Sequence, residues 1–370
     1  MIRKLNKIIQ DYLKPKRLAL GKYLYDKKKN KTRCDIGHVI EKQEVKSIVF
    51  LRYDGKIGDM VVNSFIFREI KKNYPNIKIA VVATGEAKKI IENNPNIDKI
   101  YDFSKNIFKM GMLSGEIAKD SYDLLIDFSE VLRVRPLIFI NLCKARINMG
   151  LQKENWNTFD ISFNHPANKE RHIQDTYLEV LRILGVNVTD KSYDLTIQPS
   201  QEATIDGYIK ESLLEKDYII FNPYAASKHR SFNNEKIKEM LRVMLKTRDE
   251  EIVLICTRDR VENLTKVVSE LNEKRVHIAS FTLLETIALI KKATLVVTPD
   301  TAIVHIASAF DRPMIGIYRE DLSVDNNANE WGPNSKYAEI IYSKSTDAFG
   351  EKSDINNFEI EELSKMLEVK

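Results

Sequence analysis

Apolar runs of strand length alternate with segments of helical periodicity along this 370-residue chain, and this alternation constrains the fold more than any other feature. In the first half we predict strands at residues 46–51, 77–83, 99–103, 124–128 and 145–151. We predict helices at residues 60–73, 86–93, 108–119, 131–143 and 172–184. Such short, continuously apolar strands are typical of a parallel sheet covered by helices on both faces. The first half therefore predicts a doubly wound α/β domain.

The same alternation begins again after a stretch without periodicity, TIQPSQEAT at residues 196–204, which we interpret as a linker. The predicted strands of this second series are residues 218–222, 252–256, 276–279, 295–298 and 314–318. Its predicted helices are residues 234–246, 260–272, 283–291 and 302–310. Within the first series, ahead of the helix at 172–184, residues 155–169 form a polar stretch with no predicted element. We therefore predict two Rossmann-like domains facing each other across a cleft, with ligands at the carboxyl ends of the strands.

Two strand–helix joins attract attention, because each carries an aspartate at the carboxyl end of a predicted strand. The first join, RYDGKIGDM at residues 52–60, contains Lys56, Gly58 and Asp59; the second, LVVTPDTAIVHIASAF at 295–310, contains Asp300 and Thr301. Free N–H groups at a helix start form an anion site suited to a diphosphate. Either aspartate, and the threonine, could equally be an ordinary helix cap. If the clefts face each other, the two joins share one site.

A third candidate element follows the first strand of the second series, in FNPYAASKHRSFNNEKI at residues 221–237. The small residues Ala225 and Ala226 allow a ligand to approach the backbone, and Arg230 could neutralise a phosphate. The loop lacks the glycines of a Walker motif. A basic loop of this kind is also compatible with an ordinary solvated surface.

Several classes of protein are disfavoured by what the sequence lacks. The three cysteines, Cys34, Cys143 and Cys256, form no CxxC pair, which disfavours a disulfide framework or a zinc site and favours the reducing cytoplasm. Neither HExxH, DxD, GxSxG nor GxGxxG after the first strand occurs, so no metal site, serine hydrolase or dehydrogenase is predicted. No apolar run reaches the ~18 residues of a membrane span.

The first 33 residues are strongly basic, with twelve lysines and arginines against two aspartates, so they carry +10 and the remainder of the chain −5. The apolar residues of this arm share one helical face: Ile2, Leu5, Ile8, Ile9, Tyr12 and Leu13. A basic amphipathic helix can lie on an anionic membrane surface. It can equally be a solvated helix packed on the body. Nucleic acid is not predicted as a partner, because the body is acidic and shows no nucleic-acid-binding motif.

Taken together, these segments resemble glycosyltransferase family nine, the ADP-heptose:lipopolysaccharide heptosyltransferases, over residues 48–342. LLETIALIKKATLVVTPDTAIVHIASAFDRPMIGIY at 283–318 carries most of the resemblance, with NYPNIKIAVV, NNPNIDKIYDF and YDLLIDF supporting it. The resemblance implies a GT-B fold and an inverting glycosyltransferase that uses neither metal nor cofactor. It implies an acceptor-binding domain at residues 45–198 and a nucleotide-sugar-binding domain, ending in a helix, at 199–370. The basic amphipathic arm, residues 1–44, lies outside the resemblance.

The resemblance also implies roles for single residues. Asp59 would be the general base, with Gly58 and Lys56 on the acceptor side. The donor site would comprise the following residues: Arg230 at the phosphates, Asp300 and Thr301 at sugar and diphosphate, and Ala225, Ala226, Ala302 and His305 around them. ADP-heptose is the default donor. Ala302 replaces the family's glycine, and residues 256–260 replace its glycine-rich loop, so another nucleotide-sugar remains open.

The implied acceptor is an anionic lipid-linked glycan, such as a lipopolysaccharide core, presented at the inner membrane to a cytoplasmic enzyme whose basic arm contacts that surface. Two alternatives remain open. One is a sugar-phosphate-processing enzyme of GT-B shape, such as an epimerase or a phosphorylase. The other is a non-catalytic carbohydrate-binding or assembly protein, in which Ala302 and the altered loop mark lost activity.

Overall fold

The first half of the chain folds into a six-stranded parallel sheet. The computed structural model describes residues 2–27, 37–166, 172–212, 217–320, 327–344 and 354–369. The strands of this sheet are β1 (Ser47–Arg52), β2 (Lys78–Ala83), β3 (Lys99–Asp102), β4 (Leu124–Asp127), β5 (Ile147–Leu151) and β6 (Ile161–Phe163). Their spatial order is β3-β2-β1-β4-β5-β6. Strands β2 and β3 are added on one side of β1 and strands β4 to β6 on the other, so the strand order reverses between β1 and β4, which we call the reversal point.

The second half repeats this topology in a second parallel sheet. Its strands are β7 (Tyr218–Phe221), β8 (Glu251–Ile255), β9 (Val276–Ala279), β10 (Leu295–Pro299), β11 (Met314–Arg319) and β12 (Ala338–Ser343). They are ordered β12-β11-β10-β7-β8-β9, which again sets the first strand of the domain beside its fourth. The predicted pair of doubly wound α/β domains is confirmed. In such sheets ligands bind at the reversal point, here β1/β4 and β7/β10.

Helices cover both faces of both sheets. Those of the first half are α1 (Ile2–Tyr25), α2 (Val39–Lys42), α3 (Ile57–Asn63), α4 (Phe65–Asn73), α5 (Glu86–Lys89), α6 (Ile107–Asp120), α7 (Val134–Cys143) and α8 (Ile173–Leu184). Those of the second half are α9 (Pro199–Glu211), α10 (Asn234–Thr247), α11 (Val261–Ser269), α12 (Leu283–Lys292), α13 (Ala302–Ala309), α14 (Asn327–Trp331) and α15 (Ile360–Val369). One buried apolar cluster includes residues of both halves, so α3 of the first packs directly on α13 of the second.

The predicted helix at residues 60–73 is two helices, and the first begins earlier than predicted. Helix α3 starts at Ile57, which places Asp59 inside its first turn rather than ahead of it. The break falls at the buried Ser64, whose Oγ donates to the carbonyl of Val61 at 2.6 Å and accepts from the N–H of Asp194 at 2.7 Å. A serine hydroxyl bonded back to its own helix bends it, and the contact with Asp194 fixes the bend.

The interpretation of residues 196–204 as a linker is wrong in its second part. Helix α9 begins at Pro199, whose missing N–H is no loss at a helix start. Gln198 and Gln201 cap it reciprocally, an amide version of the capping box that the sequence reading missed. The helix packs on α12, and so belongs to the second domain. Strands β6 and β12 and the short helices α2 and α14 were also not predicted.

The carboxyl-terminal part of α1 is attached to the first domain. Asp26, 4% exposed, accepts hydrogen bonds from the N–H and hydroxyl of Thr158 at 2.9 and 3.1 Å. Lys22 donates to the carbonyl of Asn155 and lies 4.6 Å from the ring centroid of Trp156. Among the helices that the structure describes, none is long and apolar enough to cross a membrane.

Candidate active site

A cavity of about 390 Å³ opens at the carboxyl ends of β1 and β4, at the reversal point of the first sheet. Leu51 and Asp127 are register partners on these two strands, and both line the cavity. Glu330 and Trp331, in and at the end of α14, close it from the second domain. The cavity therefore lies between the domains, where the fold predicts ligands to bind.

Asp59 lines this cavity from the first turn of α3. Its carboxylate lies 3.0 Å from Nη2 of Arg52 and 4.0 Å from Nζ of Lys56, and its side chain is 14% exposed. Burial raises the pKa of Asp59 above the ordinary range, and the positive charge of Arg52 opposes the rise. A partly buried carboxylate of this kind, reachable from a cavity, is suited to accept a proton.

Arg52, the last residue of β1, is the buried cation that faces Asp59. It is 4% exposed, and its Nη2 contacts the carboxylates of Asp59 and Asp54, at 3.0 and 3.6 Å, as ion pairs without aligned hydrogen bonds. Burial disfavours the charge, but Tyr177 and the two carboxylates raise the pKa of Arg52 above its usual value. Arg52 therefore stays charged and holds Asp59 in place.

Asp127 is a second carboxylate in the cavity wall, and it is completely buried. Ser129 donates to it from its hydroxyl at 2.6 Å and from its N–H at 3.2 Å. Burial raises the pKa of Asp127, and the nearby charge of Lys153 opposes the rise. Lys153 donates to the carbonyls of Ser129, Glu130 and Leu151, and so fixes the loop that follows β4.

Gly58 is where the two predicted joins meet. A Cβ on Gly58 would lie 2.9 Å from Cδ2 of His305 and 3.7 Å from Cα of Ala302. His305 is 5% exposed, and its ring packs edge-on against Tyr193 and Trp331. Burial, with a smaller effect of the charge on His172, lowers the pKa of His305 to about 3. His305 is therefore a neutral packing residue between α3 and α13.

The predicted donor-site residues cluster at the reversal point of the second sheet. Arg230 donates to the carboxylate of Asp300 at 2.9 Å. Thr301 caps α13, since its Oγ1 accepts from the N–H of Ile303 at 3.2 Å. Asn222, at the end of β7, donates to the hydroxyls of Thr298 and Thr301, at 3.0 and 3.2 Å, and so ties β7 to β10. The cap reading of Thr301 is thus correct, and the capped helix end still offers its remaining N–H groups.

The loop after β7 brings small residues to the same edge. Ala225 is half-buried and Ala226 exposed. The hydroxyl of Ser231 accepts from the N–H of Ala225 at 2.9 Å, which closes the loop on itself beside Arg230. The neighbouring loop, residues 256–260, contributes Arg260, whose guanidinium lies 5.1 Å from the ring centroid of Tyr224.

The structure thus places the predicted residues in two adjoining groups. Asp59 and Lys56 line the cavity, whereas Arg230, Asp300 and Thr301 lie at the start of α13, which Gly58 of α3 approaches. Sequence reasoning missed Arg52, Asp127 and Trp331, all of which line the cavity. For Asp127 a signal existed, because it ends a buried strand in YDLLIDF as Asp300 follows one in LVVTPD.

These features define a two-domain enzyme fold with its candidate site in the interdomain cleft. A model of glycosyltransferase family 9, described as heptosyltransferase, matches residues 110–356, about two thirds of the chain. The chain therefore belongs to glycosyltransferase family 9, as its resemblance predicted. The matched range contains Arg230 and the 300–305 segment and begins after Asp59.

Relatives agree with this assignment. The chain is 25% identical to a putative lipopolysaccharide heptosyltransferase 4 of Escherichia coli, over 80% of this chain and 81% of that protein. It resembles the crystal structure of a family 9 glycosyl transferase of Veillonella parvula with a TM-score of 0.72, at 20% identity, covering 88% and 96% of the two chains. It also resembles E. coli heptosyltransferase WaaC with ADP, with a TM-score of 0.66, at 14% identity, covering 87% and 99%. At these identities the two structures show that the GT-B fold is shared.

Proposed function

We propose that this glycosyltransferase is metal-independent, inverts the anomeric carbon, and moves a sugar from a nucleotide-sugar onto a lipopolysaccharide core or a related cell-surface glycan. The observation that carries the proposal is the position of Asp59. It lines the interdomain cavity from helix α3, and α3 packs on α13, the helix that Thr301 caps and at whose start Arg230 contacts Asp300. ADP-heptose is the default donor, in keeping with the relatives' names.

The chemistry needs one base and one anion site. As the acceptor oxygen forms its bond to the anomeric carbon, its proton passes to Asp59, and the bond to the diphosphate oxygen breaks with its electron pair. Attack on the face opposite the leaving group inverts the configuration. Arg230 and the N-terminus of α13 stabilise the charge that the departing diphosphate gains. A positioned base of this type contributes about 10²–10⁴-fold.

The substitution Asp59→Asn tests the base. It should lower kcat by about 10²–10⁴-fold while donor binding, measured as a thermal shift, stays near the wild-type value. Asp54→Asn is the matched control, because Asp54 lines the same cavity and also contacts Arg52. Since burial raises the pKa of Asp59, the acid limb of the kcat/KM profile should lie above the ~4 of an ordinary aspartate. Near-normal turnover of Asp59→Asn would remove Asp59 as the base.

A panel of nucleotide-sugars tests the donor and separates the proposal from its rivals. ADP-heptose should raise the melting temperature more than UDP- or GDP-sugars, because a ligand that binds the native state stabilises it. An enzyme that only epimerises would convert its nucleotide-sugar without an acceptor. A non-catalytic binding protein would bind a sugar and consume no donor.

We also propose that α1 brings the enzyme to an anionic membrane, on its cytoplasmic face. Gly21 packs on Val134 at the start of α7, and the carbonyl of Tyr25 accepts from Asn141 further along α7, so the two helices run in the same direction. Residues 2–20 therefore extend beyond the start of α7, which lies at the carboxyl edge of the sheet, by roughly 28 Å. That edge is also where the cavity opens.

Exposed apolar side chains accompany the basic charge on this side. Tyr12 and Leu20 of α1 and Phe108 and Met112 near the start of α6 are all at least 60% exposed. Because α6 follows β3 in a parallel sheet, its first turns lie at the same edge. Exposed apolar side chains near lysines are typical of a surface that binds a membrane. Each lysine close to anionic lipid contributes about 1 kcal/mol to the free energy of binding.

Vesicle co-sedimentation tests this role. The full chain should bind phosphatidylglycerol vesicles, lose binding as salt rises, and bind phosphatidylcholine vesicles weakly. A chain lacking residues 1–17 retains the contacts of Lys22 and Asp26 and is the appropriate variant. If it binds phosphatidylglycerol as well as the full chain, α1 has no membrane role.

A further inference from the structure

The groups that the cavity offers to a ligand indicate which kind of sugar it accepts. Among the residues that the structure describes, five carboxylates line the cavity, those of Asp54, Asp59, Asp127, Glu130 and Glu330, and the lining cations are Arg52 and Lys56. A site that recognises a carboxylate or a phosphate presents charged donors that the ligand can reach. Whether the cavity can bind an acidic sugar therefore depends on which of these cations a ligand can reach.

The buried cations around the cavity are occupied by the protein. Nη2 of Arg52 is buried and faces Asp59 and Asp54. Lys153 stands behind Asp127, is 1% exposed, and gives its ammonium hydrogens to three backbone carbonyls. Of the cations that the structure describes at this cavity, Lys56 is the one that is largely exposed, and Asp59 and the ring of Trp331 already flank it.

Three of the carboxylates are exposed to a ligand, although they too contact the protein: Glu130, for example, lies 3.1 Å from Nε2 of His165. The side chains of Glu130 and Asp54 are 55% and 37% exposed, and Glu330 of the second domain is half-buried. Carboxylate oxygens accept hydrogen bonds from hydroxyl and ammonium groups, and Trp331 adds an aromatic face. Carboxylate oxygens that accept hydrogen bonds, placed around an aromatic ring, complement a sugar whose hydroxyl groups donate hydrogen bonds.

We propose that the sugar unit seated in this cavity, the one that receives the transferred sugar, carries neither a carboxylate nor a phosphate. Among the described residues, an acidic sugar would meet several carboxylates and one reachable cation, and like charges brought together in a site reject a ligand. The inference rests on the proposed function and refines its acceptor: the anionic groups of the lipid-linked glycan lie outside the cavity, towards the basic α1, and the cavity holds a neutral or amine-bearing unit.

A matched pair of glycosides tests the inference by ligand-observed saturation-transfer NMR on the full chain. Methyl α-glucopyranoside and methyl α-glucuronopyranoside differ in one group, a hydroxymethyl against a carboxylate. At pH 7 the neutral glycoside should give a signal at least several-fold stronger. The substitution Trp331→Leu should abolish most of that signal, which places it in the cavity. The double substitution Glu130→Gln and Glu330→Gln should narrow the difference, because it removes two of the reachable carboxylates.

Two outcomes overturn the inference: the glucuronide binding as well as or better than the glucoside, or no signal from the glucoside that depends on Trp331. The nucleotide-sugar thermal shift, measured on the same preparation, separates this failure from that of the proposed function. A donor that binds while the glucuronide is preferred refutes the neutral acceptor alone. A preparation that binds no nucleotide-sugar refutes the glycosyltransferase proposal itself.

Discussion

Replacing Gly58 by alanine should disturb the contact between the domains more than it disturbs folding. The new Cβ would lie 2.9 Å from Cδ2 of His305, closer than carbon atoms tolerate, and the ring cannot swing away because Tyr193 and Trp331 flank it. Overpacking of this kind costs about 1–3 kcal/mol. Alanine in a helix returns about 0.5–1 kcal/mol over glycine, which leaves a net loss of roughly 0–2.5 kcal/mol.

The strain can be relieved without unfolding if α13 moves away from α3. We therefore expect Gly58→Ala to lower kcat/KM for both substrates, because Asp59 and the start of α13 move apart, and to raise the radius of gyration in small-angle X-ray scattering. Gly115→Ala is the matched control: it lies in α6 with no atom within 4 Å of an added Cβ, and should raise the melting temperature slightly at full activity. A Gly58→Ala enzyme with normal kcat/KM and unchanged scattering would refute this account of the contact.

Two further predictions concern buried titratable groups. Because the pKa of His305 is lowered to about 3, the unfolded chain binds its proton more tightly, and stability is lost as the pH falls below about 6.5. His305→Leu should flatten the fall in the free energy of unfolding between pH 7 and 4, by up to about 1.4 kcal/mol per pH unit, as measured by denaturant titration at each pH. An unchanged slope would contradict a buried neutral histidine. Lys153→Met should cost about 3 kcal/mol or more, because the carbonyls of Ser129 and Leu151 lose their donor. Thermal denaturation should show Lys119→Met, at an exposed position of α6, to be near neutral; equal melting temperatures would contradict the role of Lys153.

The sequence was sufficient to predict the two sheets and to place Asp59 and Lys56 at the cavity that we take as the candidate site. Buried parallel strands have long apolar runs, so β1, β7 and β10 were recognisable, and Asp59 and Asp300 follow from their places after such strands. Element ends were less predictable. Helix α3 begins at Ile57, ahead of the apolar periodicity, and its first turn packs at Gly58 against α13 of the other domain, a contact that no local pattern shows.

The remaining parts of the site depend on contacts between distant residues. Arg52 has the sequence context of an ordinary strand end, and its role appears only when Asp59 and Tyr177 lie beside it. Trp331 lies in a short helix with no periodicity to reveal it, and it reaches the cavity only because the domains face each other. No single-sequence pattern encodes such juxtapositions.

The wall that α14 contributes to the cavity of the first domain has an energetic consequence. A molecule that fills the cavity and touches Trp331 favours the apposed arrangement of the domains, in which α3 packs on α13. If the donor favours the same arrangement, the two substrates assist each other, and the factor by which one tightens the other is equal in both directions. An acceptor fragment too weak to assay alone should then be detectable as an increase in donor affinity.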